Sequence, residues 1–320
     1  MARPQYKTPS ALTFHSQAFT IFWSSFSVIS ASTNLYAVIG DPVAHSLSPV
    51  MQNWFIEQFH LNAVYTAFRV KGAKLQMCIN GMRAMGIKGL NVTVPHKEAI
   101  RSFVDEQSEE VRVLGAANTL KNQAGVISAY VTDPYGFIES LGENRARFRG
   151  ASVLLYGAGG AAKSVSYALS RLGVDQLLIS DLVSQKAIEL AERAQKLYGL
   201  KNASALVKGF APMKEIIKHT HIVINATAVG MFPLEDKSVV DNYDVVGTKH
   251  FFYDLVYNPA QTKFLRLAEE RGAATQNGLD MLIYQGLESL RIWTGQDLSL
   301  LPSQLNELKK LMRNQLGVHE

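Results

Sequence analysis

The chain has 320 residues, room for about two domains at roughly 100–200 residues each. Hydrophobic residues make up 47% and charged residues 18%, which excludes disorder as the main state, and the single cysteine, Cys78, excludes a disulfide framework and a multi-thiolate metal site. The net charge of +5, part of it from Arg3 and Lys7 in an acid-free leader, is too small to argue for a nucleic-acid partner and fits a solvated surface or an anionic small substrate.

Residues 1–34 contain no Asp or Glu and are rich in Ser, Thr and Phe. Their semi-apolar run, Ala18 to Ala31, is shorter than the about 20 residues a membrane-spanning helix needs. A disordered tail is the plain expectation, with a transit or signal segment as the alternative. No other spanning segment is visible, so a soluble, cytoplasmic protein without a membrane partner is expected.

From Leu35 onward strands and helices alternate. Leu35 to Ile39 is an apolar run ending at Gly40 and reads as a buried strand. Ser48-Pro49 reads as an N-cap followed by proline at the first helical position, with Val50, Met51, Trp54, Phe55 and Phe59 at helical spacing behind it. Val64 to Phe68 is a second strand. Leu75, Ile79 and Met82 mark an amphipathic helix, and Gly89 to Val94 is a third strand stopped by Pro95. Ala117–Leu120 and Val126–Val131 flank the turn signal Asn122-Gln-Ala-Gly125 and read as a hairpin.

A second unit begins at Ala151. Val153–Tyr156 is a strand and a helix runs to about Leu172, followed by a strand at Gln176–Ser180 and a helix over Ala187–Tyr198. His221–Asn225 and Phe251–Asp254 are further strands. The C-terminus reverts to helix over Leu282–Trp293, then with Leu305, Leu308 and Met312 on one face. The alternation predicts an α/β protein with mostly parallel sheets wrapped by helices, twice over.

Between the strand at Val153–Tyr156 and its helix lies Gly157-Ala158-Gly159-Gly160-Ala161-Ala162, a G-x-G-x-x-A turn. The first glycine permits the tight turn, the second lets backbone approach a pyrophosphate, and the small last residue lets helix and strand pack closely. A plain tight turn is the alternative. Asp181 lies 24 residues beyond Gly157, at the end of the next strand, near the spacing of a ribose-binding acid. A carboxylate there accepts from a ribose 2′-OH and repels a 2′-phosphate. Leu182, Val183 and Ser184 offer no guanidinium to clamp such a phosphate, and Lys186 is the nearest cation. NAD is therefore expected over NADP, with helix capping as the plain role of Asp181.

The first half carries polar clusters at strand ends and turns. His45-Ser46-Leu47-Ser48-Pro49 places two hydroxyls at a helix start, where a carboxylate could bind, although capping alone explains Ser48. Asn91-Val92-Thr93-Val94-Pro95-His96-Lys97, Gly115-Ala-Ala-Asn118-Thr119 and Thr132-Asp133 are similar clusters, each open to an explanation as turn chemistry or a solvated charge.

Taken together these segments resemble the shikimate dehydrogenase family, including its quinate/shikimate relatives, from about Tyr36 to Gly295. The matching stretches are Gly40–Pro49, Asn91–Lys97, Gly115–Leu120, Thr132-Asp133 with Gly136-Phe137, Gly157–Ala162, Ile224–Thr227 with Gly230-Met231, Asp254–Pro259, and Gly278–Leu282 with Gln285-Gly286. The resemblance implies reversible reduction of 3-dehydroshikimate to shikimate in the aromatic amino acid (chorismate) pathway, with NADP or NAD as cofactor. It implies that Ser46 and Ser48 hold the substrate carboxylate and that Asn91, Thr93, Asn118 and Gln285 bind ring hydroxyls. Lys97 and Asp133 would stand at the reacting carbon, with Tyr257 lining the cleft. Met281 would lie near the nicotinamide, and Thr227 and Gly278 would join the glycine turn in holding the cofactor.

The resemblance also implies a split architecture. Residues 35–132 with 278–320 would form the substrate domain, 133–277 a Rossmann-like domain, and 1–34 a leader, with the site in the cleft. A homodimer is left open.

Three departures from the family pattern stand out. Val131 replaces the usual Asn before Thr132-Asp133, Ala129 replaces the family's glycine two residues earlier, and Asp181-Leu182-Val183 replaces the Asn-Arg-Thr of the NADP-using branch. NAD use leans towards an alternative, quinate oxidation, whereas the pair Ser46 and Ser48 leans towards shikimate. A non-catalytic shikimate-binding regulator should have lost Lys97 or Asp133, or carry a DNA-binding module, and neither holds here.

Overall fold

The computed structural model describes residues 29–207 and 213–317; the leader expectation falls mostly on residues 1–28, outside the described residues. The described chain begins with β1 (Asn34–Gly40), α1 (Ser48–Gln58), β2 (Ala63–Arg69), α2 (Leu75–Ala84) and β3 (Gly89–Val92). There follow β4 (Glu106–Gln107), α3 (Glu109–Leu114), β5 (Thr119–Gln123) and β6 (Val126–Tyr130), then α4 (Asp133–Ser140). The next unit is β7 (Ser152–Tyr156), α5 (Gly160–Leu172), β8 (Gln176–Ser180), α6 (Ser184–Leu197) and β9 (Ala203–Ala205). It continues with α7 (Met213–Lys218), β10 (Ile222–Asn225), β11 (Phe251–Asp254), α8 (Lys263–Glu269) and β12 (Ala274–Gln276). Helices α9 (Leu279–Thr294) and α10 (Pro302–Gln315) close it.

The described residues form two six-stranded sheets, ordered β2-β1-β3-β5-β6-β4 and β12-β11-β10-β7-β8-β9. The α/β expectation is met. The second sheet pairs parallel throughout. The first is mixed but still mostly parallel: β1–β2, β1–β3 and β4–β6 are parallel, and β5 runs against its neighbours β3 and β6, the two-residue turn at Ala124-Gly125 being too short for a crossover between β5 and β6.

Apolar runs became strands where both faces are covered. In β7, Val153 and Leu155 enter the core under α5 and α6, while Leu154 and Tyr156 enter the opposite one, with Phe252 and Phe264. The order β9-β8-β7-β10-β11-β12 reverses direction at β7. In open parallel sheets the crevice for a ligand lies at that reversal, outside the carboxyl ends of the strands.

The two layers meet along α4 and α9. Gly136 permits the contact, since a Cβ there would stand 2.7 Å from the Met281 carbonyl oxygen and 2.8 Å from the Gln285 nitrogen. Half-buried Val131, between β6 and α4, packs against the cores of both sheets.

Three local expectations shift. Ser48 does not cap α1: Leu47 holds the cap position, and the Ser46 hydroxyl accepts from the Ser48 N–H (3.2 Å). β3 ends at Val92, so Thr93 and Val94 peel away beside Gly40, whose missing Cβ would meet Thr93 Cγ2 at 2.5 Å. α9 begins at Leu279, one turn before Leu282, where Gly278 lies so near Leu255 that a Cβ would stand 2.1 Å from its carbonyl oxygen.

Candidate active site

The loop after β3 carries Lys97, whose carbonyl accepts from the Ala117 N–H (2.8 Å) while buried His96 anchors the turn to the Val70 carbonyl. Asp133 opens α4. The Lys97 ammonium donates to Asp133 Oδ2 at 2.5 Å, with the two side chains 25% and 10% exposed. A pair so withdrawn from water interacts more strongly than a surface pair. Asp133 Oδ1 accepts from Asn118 Nδ2 (2.8 Å), which also donates to Thr132 Oγ1 (2.9 Å) and Gln285 Oε1 (3.3 Å).

This network continues inward. Asn91 Nδ2 donates to Ser289 Oγ (2.9 Å), Thr119 Oγ1 (3.2 Å) and the Asn118 carbonyl (3.2 Å), and Asn91 Oδ1 accepts from the Tyr65 hydroxyl (2.8 Å). Burial holds the Tyr65 phenol well above its ordinary value, while a hydrogen bond with Ser48 lowers it. Tyr65 and Ser289 are site residues that sequence reasoning does not single out, while Thr119 belongs to one of its polar clusters. Ser289 could have been found from its place one helical turn after Gln285, on the same face.

A cleft of about 290 Å³ brings these groups together. Ser46 and Ser48 line it from the loop before α1 and its first residue, Asn91 and Thr93 from β3 and its end, Lys97 and Asn118 from their loops, and Asp133 from the first residue of α4. Tyr257, Gly278, Met281 and Gln285 form the facing wall with Leu255, and Ala161 of the glycine turn closes one side. Beside Lys97, Glu98 Oε1 accepts from Lys163 Nζ of α5 (2.7 Å) and ties the lysine loop to the second layer.

The other cofactor candidates lie along the strand ends of the second sheet. Asp181 and Thr227 line a cavity of about 570 Å³ with Tyr156, Leu182 and Ser184. Ala158 and Gly159 line another, of about 350 Å³, with Lys163, Lys186 and Arg193. Gly157 holds φ +102°, and its missing Cβ would stand 2.9 Å from the Ala226 carbonyl oxygen, so this turn requires glycine.

The residues fit a dinucleotide. No atom stands within 4 Å of a Cβ built at Gly159 or Gly160, and no side chain caps α5, leaving the N–H groups of its first turn open to an anion. Asp181 is fixed at the edge of the turn, accepting from the Ala158 N–H and the Val183 N–H, each at 2.8 Å.

Comparison with known proteins gives a consistent result. Residues 38–120 match the family model for the shikimate dehydrogenase substrate binding domain, and residues 278–300 that for the shikimate 5′-dehydrogenase C-terminal domain. The shikimate dehydrogenase (NADP(+)) of Caldanaerobacter subterraneus subsp. tengcongensis is 40% identical over 268 residues, 84% of this chain and 94% of that one. The crystal structure of shikimate 5-dehydrogenase from Listeria monocytogenes, in complex with shikimate and NAD, is similar with a TM-score of 0.82 and 30% identity, over 90% of this chain and 99% of that one. Quinate dehydrogenase from Corynebacterium glutamicum, in complex with NAD, gives 0.78 at 27% identity, over 89% and 99%. Among the described residues no helix is long and apolar enough to cross a membrane.

Proposed function

The chain belongs to the shikimate dehydrogenase family, and from that membership and its cleft we propose that it catalyses the reversible NAD(P)-dependent reduction of 3-dehydroshikimate to shikimate. The observation that carries this reading is the Lys97–Asp133 pair at 2.5 Å in a cleft that the glycine turn also borders. We assign residues 35–132 with 278–320 to the substrate half and 133–277 to the dinucleotide half. The division is supported by one sheet drawing its strands from residues 34–130 and the other from 152–276.

When bound, the nicotinamide supplies or accepts the hydride. The chain aligns the reactants and handles one proton. In the reducing direction negative charge grows on the ketone oxygen. Lys97 Nζ donates a hydrogen bond and then a proton to it, and takes the proton back in the oxidising direction. Asp133 orients the ammonium and is itself oriented by Asn118. Ser46 and Ser48 hold the substrate carboxylate. Replacing Ser48 by alanine is expected to raise KM for shikimate about tenfold, the scale of one hydrogen bond to a charged group, with kcat little changed. An unchanged KM would take Ser48 out of substrate binding.

NAD is the preferred cofactor in this reading. Support comes from the Asp181 carboxylate, fixed beside the turn where a 2′-phosphate would meet it, with Leu182 exposed at the position after it. Quinate oxidation is the second reading; the likeness to a quinate dehydrogenase holding NAD favours it, and the two serines oppose it. One experiment addresses both: steady-state oxidation of shikimate and of quinate, each with NAD and with NADP. The highest kcat/KM is expected for shikimate with NAD. A clear NADP preference would overturn the role given to Asp181, and a clear quinate preference the substrate.

A further inference from the structure

One buried carboxylate takes no part in the chemistry above. Asp254 ends β11 and is fully buried. Its hydrogen-bond partners among the described residues are neutral donors from three segments. Asn225 Nδ2 at the end of β10 (2.9 Å) and the Val256 N–H (3.0 Å) reach Oδ1, and the hydroxyl of Thr262, the cap of α8, reaches Oδ2 (2.6 Å). A buried carboxylate with no cation beside it is costly, and such groups cluster at functional sites.

We propose that Asp254 is a positioning residue for the dinucleotide, tying β10, β11 and the start of α8 together so that Thr227 and Leu255 stand at fixed places along the cofactor's path. The inference rests on the dinucleotide reading given above. Asn225 transmits the constraint on one side. Its Nδ2 faces two acceptors, Asp254 and the Val229 carbonyl (2.9 Å), which leaves Oδ1 to accept from the Thr227 N–H (3.1 Å) and hydroxyl (2.7 Å). Thr227 in turn backs the glycine turn, its Cγ2 lying 3.1 Å from where a Gly157 Cβ would be. On the other side, the grip on the Val256 N–H fixes the peptide whose carbonyl belongs to Leu255, against which Gly278 begins α9.

Burial pushes the Asp254 carboxyl up to about 7, against the pull of its three donors. The titratable groups facing it are the phenols of Tyr243 and Tyr253, both raised by burial and neutral near pH 7. On α8, Lys263 donates to the Asp236 carbonyl and Arg266 pairs with Glu270. The folded chain therefore holds a proton on Asp254 that the unfolded chain has released, and the wild type loses stability as pH rises from about 4 to about 7.

The test is titration of NADH into cofactor-free protein at pH 8, followed by fluorescence, with melting temperatures of the same proteins at pH 5 and pH 8. Asp254→Asn is expected to weaken NADH binding roughly fivefold or more, the scale of a lost hydrogen bond. Its melting temperature, compared with wild type, should be relatively higher at pH 8 than at pH 5. A variant that melts differently yet binds NADH as the wild type does would reduce Asp254 to a structural role and overturn the proposal. Thr262→Val, which removes one donor, carries the same test should Asp254→Asn not fold; unchanged NADH binding there overturns the proposal as well. Wild-type protein that binds neither NADH nor NADPH would overturn the dinucleotide reading itself, and the proposal with it.

Discussion

Replacing Lys97 by alanine is expected to lower kcat for shikimate oxidation by about 10²-fold or more, the range for loss of a positioned general acid or base. KM for shikimate should move little, because the carboxylate and the ring hydroxyls are held by other residues lining the cleft. The substitution leaves Asp133, only 10% exposed, with Asn118 as its remaining side-chain donor and no counter-charge, so a modest fall in melting temperature should accompany it. Lys97→Arg should not rescue turnover, since a guanidinium does not release its proton in this pH range. Because Lys97 and Asp133 act as a unit, the double variant Lys97→Ala/Asp133→Asn should be little slower than Lys97→Ala alone. Turnover within threefold of wild type, at saturating cofactor, would remove Lys97 from the proton step.

Gly136→Ala is expected to damage fold and chemistry together. The added methyl would stand 2.7 Å from Gln285 Cβ and from the Met281 carbonyl oxygen, and helix backbone has little freedom to yield. Overpacking of this kind costs about 1–3 kcal/mol. At about 2–4 °C per kcal/mol for domains of 150–250 residues, the melting temperature should fall by several degrees. Relief requires α4 and α9 to separate, which draws Asp133 on one helix away from Gln285 and Ser289 on the other. Displacements of about 1 Å in such a constellation can cost about 10²-fold, so kcat/KM should fall at least tenfold. Wild-type values in both calorimetry and steady-state kinetics would show that the seam between the helices is more compliant than its packing indicates.

What could be read from the sequence, and what could not, follows the range of the interactions. Strands such as Val153–Tyr156 were legible because both faces are covered and every residue is apolar. The hairpin was legible because Asn122 and Gly125 are local turn chemistry, and the Asn122 side chain does accept from the Gly125 N–H (2.9 Å). Lys97 and Asp133 are 36 residues apart, and nothing local announces their meeting; resemblance alone suggested it. Tyr65 and Ser289 were missed for the opposite reason. One sits in a strand and the other in an apolar helix, and each looks like ordinary core until its hydroxyl is seen to reach Asn91. Serine before proline favours the cap position, which is why Ser48 reads as one, but the helix starts one residue earlier than that reading places it: Ser48 is its first residue and Leu47 holds the cap. The early start of α9 goes with Asn277, whose Oδ1 accepts from the Leu279 N–H (3.1 Å), a polar signal that apolar spacing does not register.

Val131 lends the junction between the layers a particular character. An asparagine at that position would bring a carboxamide with four hydrogen-bonding sites into the seam, and each would need a partner or a water molecule. A branched hydrocarbon asks for neither. It wedges between the two cores and joins them by close packing, which solvent cannot compete for, two residues before the carboxylate that grips Lys97.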